Sequence, residues 1–116
     1  MKTKTLLFAG IMLLMSFSLV AKATESLLMF DISPNPMKEY CDISLEYNGD
    51  AVITILVVNE KGDIVKTVYN GPIHKTGRYR WERDDAFGNW VQAGVYTVEI
   101  QYYSRYTSTK KTLILK

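Results

Sequence analysis

Few side chains in this chain can do chemistry, and their spacing argues against most of it. His74 is the only histidine. A zinc site needs several His, Cys or carboxylate ligands at short spacing, and no second His or Cys stands near it. A Ser-His-Asp hydrolase would depend on this same His74, and no Gly-x-Ser-x-Gly elbow occurs anywhere in the sequence. Cys41 is the only cysteine, so no internal disulfide forms. Nothing beside it lowers its thiol pKa, and it reads as a buried, small apolar residue of a strand. The one oxygen-rich run is Asp84-Asp85-Ala86-Phe87-Gly88-Asn89. A calcium loop alternates its carboxylates and ends on a distal bidentate acid, and this run does neither. Asp, Gly and Asn are also the common turn formers. The expectation is a protein that is not an enzyme, with no cofactor and no metal.

Aromatic residues say more than charges. Trp81, Trp90, Tyr69, Tyr79, Tyr96, Tyr102, Tyr103 and Tyr106 supply the bulk that a small β-domain needs, and most are expected in its core. Strict alternation cannot bury both Tyr102 and Tyr103, and Tyr106 falls in the following turn. Tyr102, Tyr103 and Tyr106 therefore make a candidate contact surface for protein or glycan, since tyrosine joins a stacking face to a hydroxyl. Ordinary edge decoration is the alternative.

These residues are positioned by a chain that begins with an export signal. Lys2 and Lys4 precede an apolar run from Leu6 to about Val20, and Ala21-Lys22-Ala23 offers the small-residue pattern of a signal peptidase site. Residues 1–23 are thus expected to be cleaved, leaving 24–116 as one domain with no membrane span. The whole chain carries 14 basic and 12 acidic residues. Lys2, Lys4 and Lys22 leave with the leader, so the mature chain is slightly acidic and shows no footprint for nucleic acid. Its destination is periplasm, cell surface or exterior.

After the leader almost every segment reads as strand. Leu28 to Ile32 is stopped by Ser33-Pro34-Asn35-Pro36, because two prolines cannot sit in a paired ladder. Cys41 to Tyr47 alternates, with Ile43, Leu45 and Tyr47 inward. Asn48-Gly49-Asp50 is a hairpin signal, and Ala51 to Val58 reads as a central strand. Glu60-Lys61-Gly62-Asp63 turns the chain into Ile64 to Tyr69. Asn70 to Gly77 reads as a longer connection, and Tyr79 and Trp81 then share a face. Asp84 to Gly88 is a turn. Gly94 to Tyr103 places Tyr96, Val98, Ile100 and Tyr102 on one face, and Thr107 to Leu115 closes the domain. The pattern predicts an all-β, immunoglobulin-like (fibronectin III-like) antiparallel sandwich of about seven strands.

The run from Trp81 to Tyr96 resembles the W-D-G-x-D-x-x-G-x-x-V-x-x-G-x-Y signature of the Ig-like domain of flagellar hook-capping proteins and of the related C-terminal sorting domains of type IX secretion. Ser33-Pro34-Asn35-Pro36, the stretch Val57 to Val65 and the closing Lys110 to Lys116 resemble other parts of those sorting domains. The resemblance assigns Trp81, Asp85, Gly88, Gly94 and Tyr96 to the fold signature: a core plug, turn residues and an inward tyrosine. Glu82-Arg83 stands where the signature has Asp-Gly. A sorting domain trails a large secreted protein, whereas here it follows the leader directly.

Three functions fit this reading. The first is a small, exported, non-catalytic module of the bacterial cell envelope that binds protein or glycan. The second is a minimal type IX substrate whose last strands are read by the secretion machinery. The third is a periplasmic inhibitor or chaperone on an Ig-like scaffold. The sequence leaves the partner and the oligomeric state open.

Overall fold

The computed structural model describes residues 27–102 and 108–116, and every regular element among them is a strand. The leader, Tyr103 and Tyr106 lie outside the described residues. The strands are β1 (Leu27–Ser33), β2 (Cys41–Val58), β3 (Ile64–Trp81), β4 (Gly94–Tyr102) and β5 (Ser108–Leu115). In β2, Cys41, Ile43, Leu45 and Tyr47, and then Ile53, Ile55 and Val57, are buried, the period of two that puts one side of a strand into a core. β3 pairs along one edge of β2. The other edge is shared: β1 takes the first half, with Ile32 opposite Ile43, and β4 takes the second, with Ile55 opposite Ile100. β5 joins β4, with Leu113 opposite Tyr96. All the strand pairings are antiparallel.

A strand of 18 residues laid straight runs about 60 Å. β2 and β3 instead double back together. The register breaks between Glu46 and Asp50, and Gly49 (φ 105°) and Lys75 (φ 67°) take left-handed conformations beside the break. A left-handed residue and a bulge each kink a strand and raise its twist. Residues from both halves of the folded ribbon meet in one core, which holds Ile43, Leu45 and Trp81 from one half and Ile53, Ile55 and Val57 from the other. Lys66 of β3 and Asp84, in the loop that follows β3, form a 2.8 Å ion pair.

The curl is fastened at β5. Met37, fully buried, bridges Leu115 in parallel: its amide donates to the Ile114 carbonyl at 2.8 Å and its carbonyl accepts from Lys116 at 2.9 Å. The Asn35 side chain donates to the Thr112 carbonyl and accepts from the Ile114 amide. The prolines that end β1 thus turn the chain across to the edge of β5.

Among the described residues five strands stand where about seven are expected. Asn48-Gly49-Asp50 is no hairpin turn, and Asn70 to Gly77 is no connection, since β2 and β3 run unbroken through them. The glycines of that second stretch serve packing. A Cβ on Gly77 would stand 2.5 Å from the Tyr79 hydroxyl oxygen, and one on Gly71 would stand 2.9 Å from that of Tyr69. Each tyrosine lies over a neighbouring glycine in its own strand, and the two rings stack at 4.4 Å. The Tyr69 hydroxyl donates to the Pro72 carbonyl at 2.6 Å.

Candidate contact surface

The segment from Arg83 to Val91 folds as a tight loop held by main-chain bonds and by the side chains of Trp81, Arg83 and Asp85. Val91 donates to the Arg83 carbonyl at 3.1 Å, Asp85 donates to the Asn89 carbonyl at 2.9 Å, and Asp84 bridges Trp90. Inside it, Asp85 Oδ1 accepts from the amides of Phe87 and Asn89, both at 2.9 Å. These amide bonds hold the Asp85 carboxyl below the usual carboxylate range. Gly88, at φ 85°, supplies the left-handed residue that the turn needs. The loop is anchored to the core by Trp81, which is 1% exposed and donates its indole N–H to the Asp84 carbonyl at 2.9 Å.

Arg83 is the least expected member of this loop. It stands where the hook-cap and sorting signature has glycine and adopts a left-handed φ of 59°. Its side chain is buried, and its guanidinium donates to three main-chain carbonyls: Val91 at 2.8 Å, Lys116 at 2.8 Å and Lys38. These three bonds use the Nε–H and both Nη1–H donors of the guanidinium. It ties the loop, the strap through Met37 and the end of β5 into one unit. It also lies 4.6 Å from the centroid of the Trp90 ring, supporting one face of an indole that is 62% exposed.

At the loop's apex Phe87 is 88% exposed. Ile64, where β3 leaves the Asn59–Asp63 turn, is exposed as well. That turn is braced by a side chain too, with Asn59 Oδ1 accepting from the amides of Lys61 and Asp63. Ile64, Phe87 and Trp90 line a surface cleft of about 380 Å³ between the two turns. A second cleft of about 240 Å³ adjoins it across Asn59 and Tyr96 and is lined by Glu60, Lys61, Asp63 and Val95. Three large apolar side chains held out by one end of a small domain are what contact surfaces carry.

The expectation that most aromatics are core does not extend to Trp90 and Phe87. The predicted turn from Asp84 to Gly88 held the signal, because a phenylalanine at the apex of a tight turn has nothing to bury it. Of the candidate tyrosines, Tyr102 is half-buried, packed edge-on against Tyr47 at 6.0 Å with its hydroxyl 3.2 Å from Thr109 Oγ1. Of the signature residues, Tyr96 is buried and donates to the Gln92 carbonyl at 2.7 Å, and Gly94 opens β4 two residues before it.

His74 lies at the bend of the ribbon, exposed and 3.2 Å from Asp50, and lines neither cleft. Cys41 is buried, and burial pushes its thiol up to about 11. Among the described residues no three His, Cys, Asp or Glu side chains gather as a metal site, and no helix is long and apolar enough to cross a membrane.

No protein-family model matches the chain, and no curated protein matches it in sequence. Among solved structures it is similar to part of dimeric latent PorU from Porphyromonas gingivalis, with a TM-score of 0.64 and 16% identity. The similarity is one of fold. It covers 74% of this chain and only 9% of the PorU chain, so the shared unit is a small fraction of that protein.

Proposed function

We propose that this chain is a small, exported, non-catalytic Ig-like module of the bacterial cell envelope that binds its partner through Ile64, Phe87 and Trp90. The observation that carries this reading is the pair of exposed aromatics on a loop fixed by Asp85 and Arg83. A protein with no use for these rings would gain by replacing them with polar residues, since exposed apolar patches invite aggregation. The Ig-like reading counts each half of β2 and β3 as one segment of a sandwich continuous around the bend. Export rests on the Lys2/Lys4, apolar run and Ala21-Lys22-Ala23 pattern.

Two measurements on one strain test this. Fractionation should recover a protein beginning at Thr24 outside the cytoplasm. Affinity capture from envelope extract should yield a partner with the natural protein and lose it with Phe87→Ala/Trp90→Ala, while Tyr102→Ala retains it. Cytoplasmic recovery of the intact leader would end the export reading, and equal capture by the aromatic double variant would end the contact reading.

A second reading, a minimal type IX substrate, is favoured by the signature from Trp81 to Tyr96 together with the fold similarity to part of PorU. It requires that deletion of the type IX machinery trap the protein in the periplasm.

A further inference from the structure

The two clefts at this end differ in character, and the difference points to the chemistry of the occupant. The larger is apolar and aromatic, built on Ile64, Phe87 and Trp90. The smaller is bordered by the carboxylates of Glu60 and Asp63, and Asp85 stands on the wall of the larger one. Asp85 engages the amides of Phe87 and Asn89 through Oδ1 and is stabilised as a carboxylate there. Around the two clefts stand the carboxylates of Glu60, Asp63, Asp84 and Asp85 and the cations of Lys61, Lys66 and Arg83, with Lys66 paired to Asp84 at 2.8 Å and Arg83 behind the Trp90 ring. The site therefore combines apolar surface, the outer face of an indole already backed by a guanidinium, and net negative charge.

We infer that this groove takes a protein segment carrying a lysine or arginine beside a bulky apolar residue. The apolar side chain fills the space between Ile64 and Phe87, and the cation lies over Trp90 toward Glu60, Asp63 and Asp85. An anionic ligand would meet a carboxylate excess at the smaller cleft, where Glu60 and Asp63 stand against Lys61. A neutral glycan would stack on the rings and donate hydroxyls to the carboxylates, but it brings no charge to offset theirs. A cationic segment uses both features, by cation–π attraction and charge complementarity. This rests on the proposal that the turn end is the contact surface, and it adds the class of the partner.

The test is a random hexapeptide array probed with the purified protein, with Trp90→Ala, with Phe87→Ser and with Glu60→Gln/Asp63→Asn. Phe87 is so exposed that its replacement leaves folding intact, which a thermal melt verifies. The expected result is enrichment, about fivefold or more, of peptides with Lys or Arg adjacent to Leu, Ile or Phe. Binding should fall about tenfold in both aromatic variants. It should also weaken between about 50 and about 300 mM salt. In the carboxamide variant the basic preference should vanish while the apolar preference persists. Selection that needs Phe87 and Trp90 but shows no basic preference overturns the charge inference and keeps the contact surface. Selection indifferent to both rings, or no selection at all, overturns both.

Discussion

The Arg83 guanidinium lies 4.6 Å from the centre of the Trp90 ring and donates to the carbonyl of Val91, the next residue along. Core anchoring and surface presentation thus meet in one side chain. Arg83→Ala leaves three carbonyls without their donor and keeps a left-handed backbone that alanine tolerates poorly, for an expected loss of about 2–4 kcal/mol. Arg83→Gly loses the same bonds but accepts the backbone, and should be the more stable of the two by about 1 kcal/mol. Urea unfolding of both variants measures the order, and the reverse order would mean that the backbone at residue 83 is unstrained.

Gly77 and Tyr79 form a second coupled pair. Gly77→Ala should cost about 1–2 kcal/mol, because the new methyl displaces the Tyr79 ring from its stack on Tyr69. In a Tyr79→Ala background the same substitution should cost much less, since the obstructing ring has gone. A double-mutant cycle by thermal or urea unfolding reads this directly, and additive losses would contradict it.

These two pairs also explain what the sequence concealed. The strand content, the inward faces of β2 and β4 and the Asp84–Gly88 turn were legible because alternation and turn chemistry are local. The continuity of β2 and β3 was not. Gly49, Gly71, Pro72 and Gly77 are breakers by composition, yet one shapes a bend and two make room for tyrosines that pack from within the same strand. Arg83 was hidden for a similar reason. A charged residue in a turn reads as solvated, and only the three-dimensional meeting of Val91, Lys38 and Lys116 supplies the carbonyls that bury it.

Acid should weaken the fold through two carboxylates. Asp42 is held below its usual range chiefly by its paired hydrogen bonds from Arg80, at 2.9 and 3.2 Å, and Asp85 by the amides of Asn89 and Phe87. Both bind fewer protons in the folded state than in the unfolded one. Their contribution is therefore present above the ordinary carboxylate pKa of about 4 and is lost as pH falls through the lower folded values. Denaturation midpoints between about pH 2 and about pH 6 should decline toward acid, and Asp42→Asn should flatten that decline.

Cys41 should be inert in the folded protein. Its side chain is buried, and burial, aided by the neighbouring Asp42 charge, pushes the thiol up to about 11, so thiolate is scarce at pH 8. A thiol-specific chromogenic disulfide should label it only in denaturant. Fast labelling of the native protein would place Cys41 outside the core.

The most direct measurement of the contact surface is photo-crosslinking in living cells, with a benzophenone amino acid in place of Phe87 in one strain and of Lys75, at the far bend of the ribbon, in another. A discrete adduct from position 87 and none from position 75 is the predicted result. Adducts from position 75 with none from position 87 would contradict the assignment of Ile64, Phe87 and Trp90 as the surface through which this protein works.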